Sequence, residues 1–138
     1  MINETVKLKG DLVITVLDKD GKVKERREEK NLIVSAGLTF ICSRMANATA
    51  GVMSHMAVGS GTATPAASNT DLGTVLGARE PLDSTTASSN TVTYVSSFEA
   101  GEGTGAVTEA GLFNAASSGT MLCRTVFPVV NKGANDTM

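Results

Sequence analysis

The chain has 138 residues, a net charge of −2, one histidine, two cysteines and no tryptophan. That length suits a single domain, 1–138, able to bury about two-thirds of its unfolded surface. The near-neutral charge gives no electrostatic case for nucleic acid or a membrane as partner, and no apolar run is long enough to span a bilayer.

The first 30 residues form a segment of their own, holding 15 of the 26 charged side chains. The remaining 108 carry 11, well under the ordinary share of about 25%. They are rich in Ala, Gly, Ser and Thr instead. Small neutral side chains cost little to desolvate and lose little rotamer freedom when covered. A bland, loop-rich exterior accounts for this composition, and so does a surface that meets other subunits. The opening "MINETVKLKGDLVITVLD" is charged and alternating and has no signal-peptide core, so the expectation is a soluble chain made in a cytoplasm.

Alternation over Leu12–Leu17, the turn "DKDG" (Asp18 to Gly21) and the charged return "KVKERREEKNLIV" predict a hairpin. So charged a strand suits an exposed edge or an arm beyond the core, giving a division into an arm, 1–30, and a core, 31–138. "DKDGK" lacks the later acidic ligands of a calcium loop and reads as a turn. "SAGLTFICSRMANA" (Ser35 to Ala48) predicts the one helix, near residues 36–47, with Ser35 as its cap and Leu38, Ile41, Cys42 and Met45 as its apolar stripe. Phe40 falls off that stripe.

"VMSHMAVGSG" reads as a half-buried strand ending at Gly59, followed by a long small-residue loop, "SGTATPAASNTDLG". A short strand is expected before Pro81, a clear one across "NTVTYVSSFEA", and a hairpin over "VTEAGLFNAASSGTMLCRTVF". In that hairpin Glu109 and Arg124 are placed to pair across the strands, as a surface pair worth about 0–1 kcal/mol. Seven or eight short strands and one helix point to a β-sandwich or barrel. The final "NKGANDTM" is a turn signal with no strand after it, so one strand of the last sheet is expected from elsewhere or from further chain.

Reactive chemistry is sparse. His55 has no marked nucleophile or orienting acid near it in sequence. Cys42 and Cys123 match no metal spacing and are expected to be buried free thiols, with a single long-range disulfide left open. "GSGTAT" and "GEGTGA" are glycine-rich but match no phosphate-binding pattern and precede no helix. The expectation is therefore no enzyme, no cofactor and no metal.

Three stretches carry a resemblance: "KNLIVSAGLTFICSRMA", "MSHMAVGSGTATPAASNTDLGTVLGARE" and "VTEAGLFNAASSGTMLCRTVFPVVNKGANDTM". At Asn31, Gly37, Met56–Pro65, Thr70–Gly73, Glu109–Phe113 and Met121–Phe127 the chain resembles small virion structural proteins of tailed bacteriophages. Members of that family usually continue with one more strand, which is absent here. The resemblance implies a capsid decoration (cement) protein of a short-tailed phage, or alternatively a tail-fibre or tail-associated receptor-binding module. The single domain without fibre repeats favours the first, with a jelly-roll-like β-sandwich as fold.

On that reading the partners are the major capsid (coat) protein and the chain itself, as a homodimer or homotrimer, on the outer surface of the phage head. Lys22, Lys24, Glu25, Arg26, Arg27, Glu28 and Glu29 are the expected capsid contacts. Gly59, Ser60, Gly61, Thr62, Val129 and Val130 are the expected self-association residues.

Overall fold

Asp18 starts the first hairpin: its Oδ1 accepts the N–H groups of Asp20 and Lys22, each at 2.9 Å, while Gly21 takes φ 79°. In this computed structural model, which describes residues 1–46 and 50–138, that turn joins β1 (Gly10–Leu17) to β2 (Val23–Ile33). Helix α1 (Ser35–Ala46) follows, then β3 (His55–Gly59), β4 (Glu80–Pro81), β5 (Ser84–Ser88), β6 (Thr91–Val95), β7 (Gly105–Phe113) and β8 (Met121–Lys132).

Six strands form one antiparallel sheet in the order β1-β2-β8-β7-β3-β4, and β5-β6 form a separate hairpin. The sheet is curled. β2 joins β8 only at Leu32–Arg124 and Ile33–Cys123, so the β1–β2 hairpin is free to fold back over the sheet. Ile14 and Val16 of β1 thereby share a buried cluster with Val58 of β3, Phe98, Val107, Phe127 and Val130. Strands near opposite ends of the sheet meet in one core.

The protein is all-β with one short helix, as its strand spacing implies. A jelly roll is built from two facing sheets that follow two Greek keys; here six strands make one sheet and the other two a separate hairpin, which establishes the all-β class and not the jelly roll. The arm is a correction. β1 is a core strand, because its alternation buries Ile14 and Val16 while β2, opposite, turns Glu25, Arg27 and Glu29 to the same face. Within the 1–30 segment, residues 1–9 precede β1 and are exposed.

The helix sits one residue round from its expected roll. Gly37 lies so close to β8 that a Cβ there would stand 2.1 Å from the Leu122 carbonyl oxygen. That approach turns Phe40 and Ile41 onto Met53, Leu112, Leu122 and Cys123. It leaves Leu38, Cys42 and Met45 exposed. Backbone proximity at a glycine outweighed the bulk of the alternative stripe. The Asn47–Ala48 end expected for the helix lies outside the described residues.

The strands near Pro81 and Pro128 follow from proline's missing N–H. Pro81 sits opposite His55 on the short edge strand β4, and Pro128 lies where the β7–β8 register slips between Val107 and Glu109. The β7–β8 turn is tied by Asn114, whose Oδ1 accepts the Thr120 N–H at 2.6 Å.

Candidate interaction surfaces

The densest polar arrangement is the Glu109–Arg124 pair, and it is buried. Their side chains are 0% and 2% exposed, which corrects the expected surface pair. The β7–β8 register sets Arg124 opposite Gly111 and Glu109 opposite Val126, so the two side chains meet on a diagonal. The 59–74 loop then closes over them.

Arg124 donates from Nε at 2.9 Å and from Nη2 at 2.7 Å to Glu109 Oε2, which also accepts the Gly73 N–H at 3.0 Å. Oε1 accepts the N–H groups of Gly61 and Thr74, both at 2.8 Å. Arg124 Nη1 donates to the Ala63 carbonyl at 3.1 Å and to Asn69 Oδ1 at 3.0 Å. Burial alone would raise the Glu109 pKa. The hydrogen bonds from Gly73, Thr74, Arg124 and Gly61 outweigh it and hold the carboxyl below its ordinary value.

This geometry decides what the pair can do. Both carboxylate oxygens are fully engaged, so none is left to accept a substrate proton. The pair instead pins a loop of small residues. A Cβ at Gly61 would stand 2.3 Å from Oε1, so glycine is required for the loop backbone to reach the carboxylate.

A second cluster closes the other end of the molecule. Lys132 is buried and donates to the Glu99 and Asp136 carbonyls at 2.8 and 2.7 Å. Asp136 accepts from Lys24 at 2.5 Å and from the Gly133 N–H at 2.7 Å. Those bonds hold its carboxyl below the usual range. Arg79 stacks on the Phe113 ring at 3.6 Å and donates to the Ala115 and Ser118 carbonyls, bracing the β7–β8 turn.

The expected capsid-contact residues divide between two faces. Lys22, Lys24, Arg26 and Glu28 are exposed, while Glu25, Arg27 and Glu29 are half-buried beside β1. Arg26 pairs with Glu28 at 2.7 Å and Arg27 with Glu25 at 2.5 Å, and Lys24 is already engaged by Asp136.

Of the self-association residues, Gly59 is buried and pairs with Glu109 and Val75. The Gly61 N–H is held by Glu109, and Ser60 donates to the Thr74 carbonyl at 2.8 Å. Val130 is buried against Val107 in the β7–β8 ladder. Thr62 and Val129 remain exposed.

His55 is half-buried, with Nδ1 2.8 Å from Ser54 Oγ. Cys123 is buried, and its thiol is pushed up to about 11 by desolvation. Cys42 is exposed, correcting the expectation of two buried thiols. Among the described residues no group of three His, Cys, Asp or Glu could hold a metal, and no helix is long and apolar enough to cross a membrane.

The exposed surface has its own character. The loop from Thr62 to Asp71 is exposed except at Pro65 and Asn69, and every residue of β5 is exposed. Sequence reasoning missed Gly61, Gly73, Thr74, Asn69 and Arg79 as structural partners. The available signal was the presence of isolated charges at 79, 109 and 124 in a chain segment otherwise poor in charge, each needing a partner if buried. No family model, curated protein or solved structure matches this chain.

Proposed function

We propose that this chain is a capsid decoration protein, binding the assembled shell of a tailed bacteriophage and bridging neighbouring coat subunits. One observation carries the reading: an exposed loop of small, neutral residues is held in place by a fully engaged buried ion pair. A surface that is already ordered and carries little charge loses little entropy and little hydration when another protein covers it. A protein that binds the shell but not its free subunits stabilises the shell by mass action. Repetition over many symmetric copies multiplies a modest contact.

On this reading the β1–β2 turn, through Lys22, and the outer face of β2, through Arg26 and Glu28, supply polar contacts to the coat protein. The protein then lies on the outer surface of the head, as an oligomer on symmetry axes.

The test is copy number in purified particles, measured on a calibrated stained gel. Hundreds of copies per particle support decoration. A handful places the chain in the tail as a fibre or receptor-binding module, and absence from particles overturns both. Charge reversal at Arg26 and Glu28, which touches no buried group, is expected to weaken shell binding without lowering Tm.

A further inference from the structure

Among the described residues, every side-chain partner that Glu109 and Arg124 have besides each other lies on one loop. Glu109 accepts the N–H groups of Gly61, Gly73 and Thr74, and Arg124 donates to Ala63 and Asn69. The loop is closed at its neck, where the Ser60 N–H donates to the Thr74 carbonyl at 2.8 Å and the Leu76 N–H to the Val58 carbonyl at 2.9 Å. Residues 61–73 thus form a strap across the pair, whose own side chains rise from the β7–β8 ladder beneath it. Other ties to the body are weaker. The Thr108 hydroxyl donates to the Gly61 carbonyl at 2.9 Å and the Ser35 N–H to the Ala67 carbonyl at 2.8 Å. Leu72 packs against Val34, Ala57, Phe113 and Met121, and the exposed Asp71 reaches Arg79 only at 3.4 Å.

The pair can hold this strap in one protonation state only. All five hydrogen bonds at the carboxylate arrive from donors, three backbone N–H groups and two N–H groups of Arg124. A proton on either oxygen would point at a donor, with no acceptor beside it. It would also leave the Arg124 guanidinium buried without a counter-charge. We propose that residues 61–73 are an acid-released strap: protonation of Glu109 frees them as one unit, and water reaches both side chains while the β7–β8 ladder stays paired. Among the described residues no other charge is set against the carboxylate. β8 presents Arg124, the strap presents backbone N–H groups with Asp71 turned to Arg79, and the one titratable group of β3, His55, sits at its far end opposite Phe113. The sign follows from the same bonds. The closed carboxyl is held below its ordinary value, and hydration on opening returns it to about 4.3. Closure is therefore complete above that value. Below it the closing equilibrium weakens by up to about tenfold per pH unit, until the closed carboxyl itself protonates.

On the decoration reading this strap carries the small-residue surface offered to the shell, so acid is expected to detach the protein. That consequence rests on the reading; the opening does not, and its test uses the purified chain alone. The measurement is amide hydrogen exchange, corrected for the intrinsic rate at each pH. From about pH 6 to about pH 2 the amides of Gly61, Gly73 and Thr74 are expected to lose protection together, by about tenfold or more, while those of the β7–β8 ladder keep theirs. Glu109→Gln is expected to leave the three amides unprotected at every pH, and Asp71→Asn to leave the response of the natural chain unchanged. The pH series needs no substitution, so a Glu109→Gln chain that fails to fold leaves the test in place. Protection at the three amides that persists through the acid range overturns the proposal. So does its loss only together with the ladder, three amides that open separately, a folded Glu109→Gln chain that protects them, or an Asp71→Asn chain without the response.

Discussion

At Glu109 the energetics turn on which partners a buried charge keeps. Its carboxylate accepts five hydrogen bonds, two of them from Arg124. Removing one member of a buried pair strands the other, at about 3–5 kcal/mol. Glu109→Gln is therefore expected to lose about that much in urea denaturation at neutral pH, whereas a surface pair would lose under about 1 kcal/mol. The pH dependence follows from the same bonds. Glu109 titrates lower folded than unfolded, so its stabilisation is complete above the ordinary glutamate value of about 4.3. It is lost as pH falls through the lower folded value. The Glu109→Gln chain is expected to show a shallower fall of Tm on acidification. The two thiols make a second residue-scale prediction. Cys42 is exposed and Cys123 is buried with its pKa raised, so a thiol reagent is expected to titrate one cysteine in the native chain and two after unfolding.

Helix α1 shows how an element is placed by its smallest residue. The Leu38, Ile41, Cys42 and Met45 stripe is a sound amphipathic pattern, yet only Ile41 of the four packs inward. Gly37 lets the helix backbone approach the Leu122 carbonyl, and that contact sets the roll. Gly37→Ala would drive a methyl into a backbone atom that cannot swing aside. Despite the better helix propensity of alanine, a loss of about 1–3 kcal/mol is expected. Leu38→Gln on the exposed side is expected to change stability by less than about 0.5 kcal/mol. Thermal denaturation of both variants checks the roll directly, because the amphipathic stripe predicts the reverse order. The β5–β6 hairpin has a similar lesson. Its alternation is legible, but only Tyr94 among its residues reaches a buried cluster.

The whole molecule is held together by contacts between chain ends and middle. Ile14 and Val16 join a cluster with residues of β3, β7 and β8, while Lys24 reaches Asp136 and Thr137 reaches Leu17. Ile14→Ala is accordingly expected to cost about 2–5 kcal/mol by equilibrium unfolding. A solvated arm would have tolerated it almost without effect. The same closure limits where a partner can bind. The backbones of Gly59 and Gly61 and the side chain of Val130 are engaged inside the fold. The outer face of β2 and the Thr62–Asp71 loop remain exposed.

Local chemistry alone determined much of this protein. The Asp18–Gly21 turn, the alternation in β1 and β7, the single helix and the turn-rich spacing each depend on residues close together in sequence. From them an all-β fold with two principal hairpins can be read directly. The roll of α1, the folding of a charged hairpin over the core and the burial of Glu109 with Arg124 were decided only in three dimensions. Each depends on how closely two distant backbones approach. That distance is set by absent side chains at Gly37 and Gly61, and an absence has no hydrophobic period to reveal it.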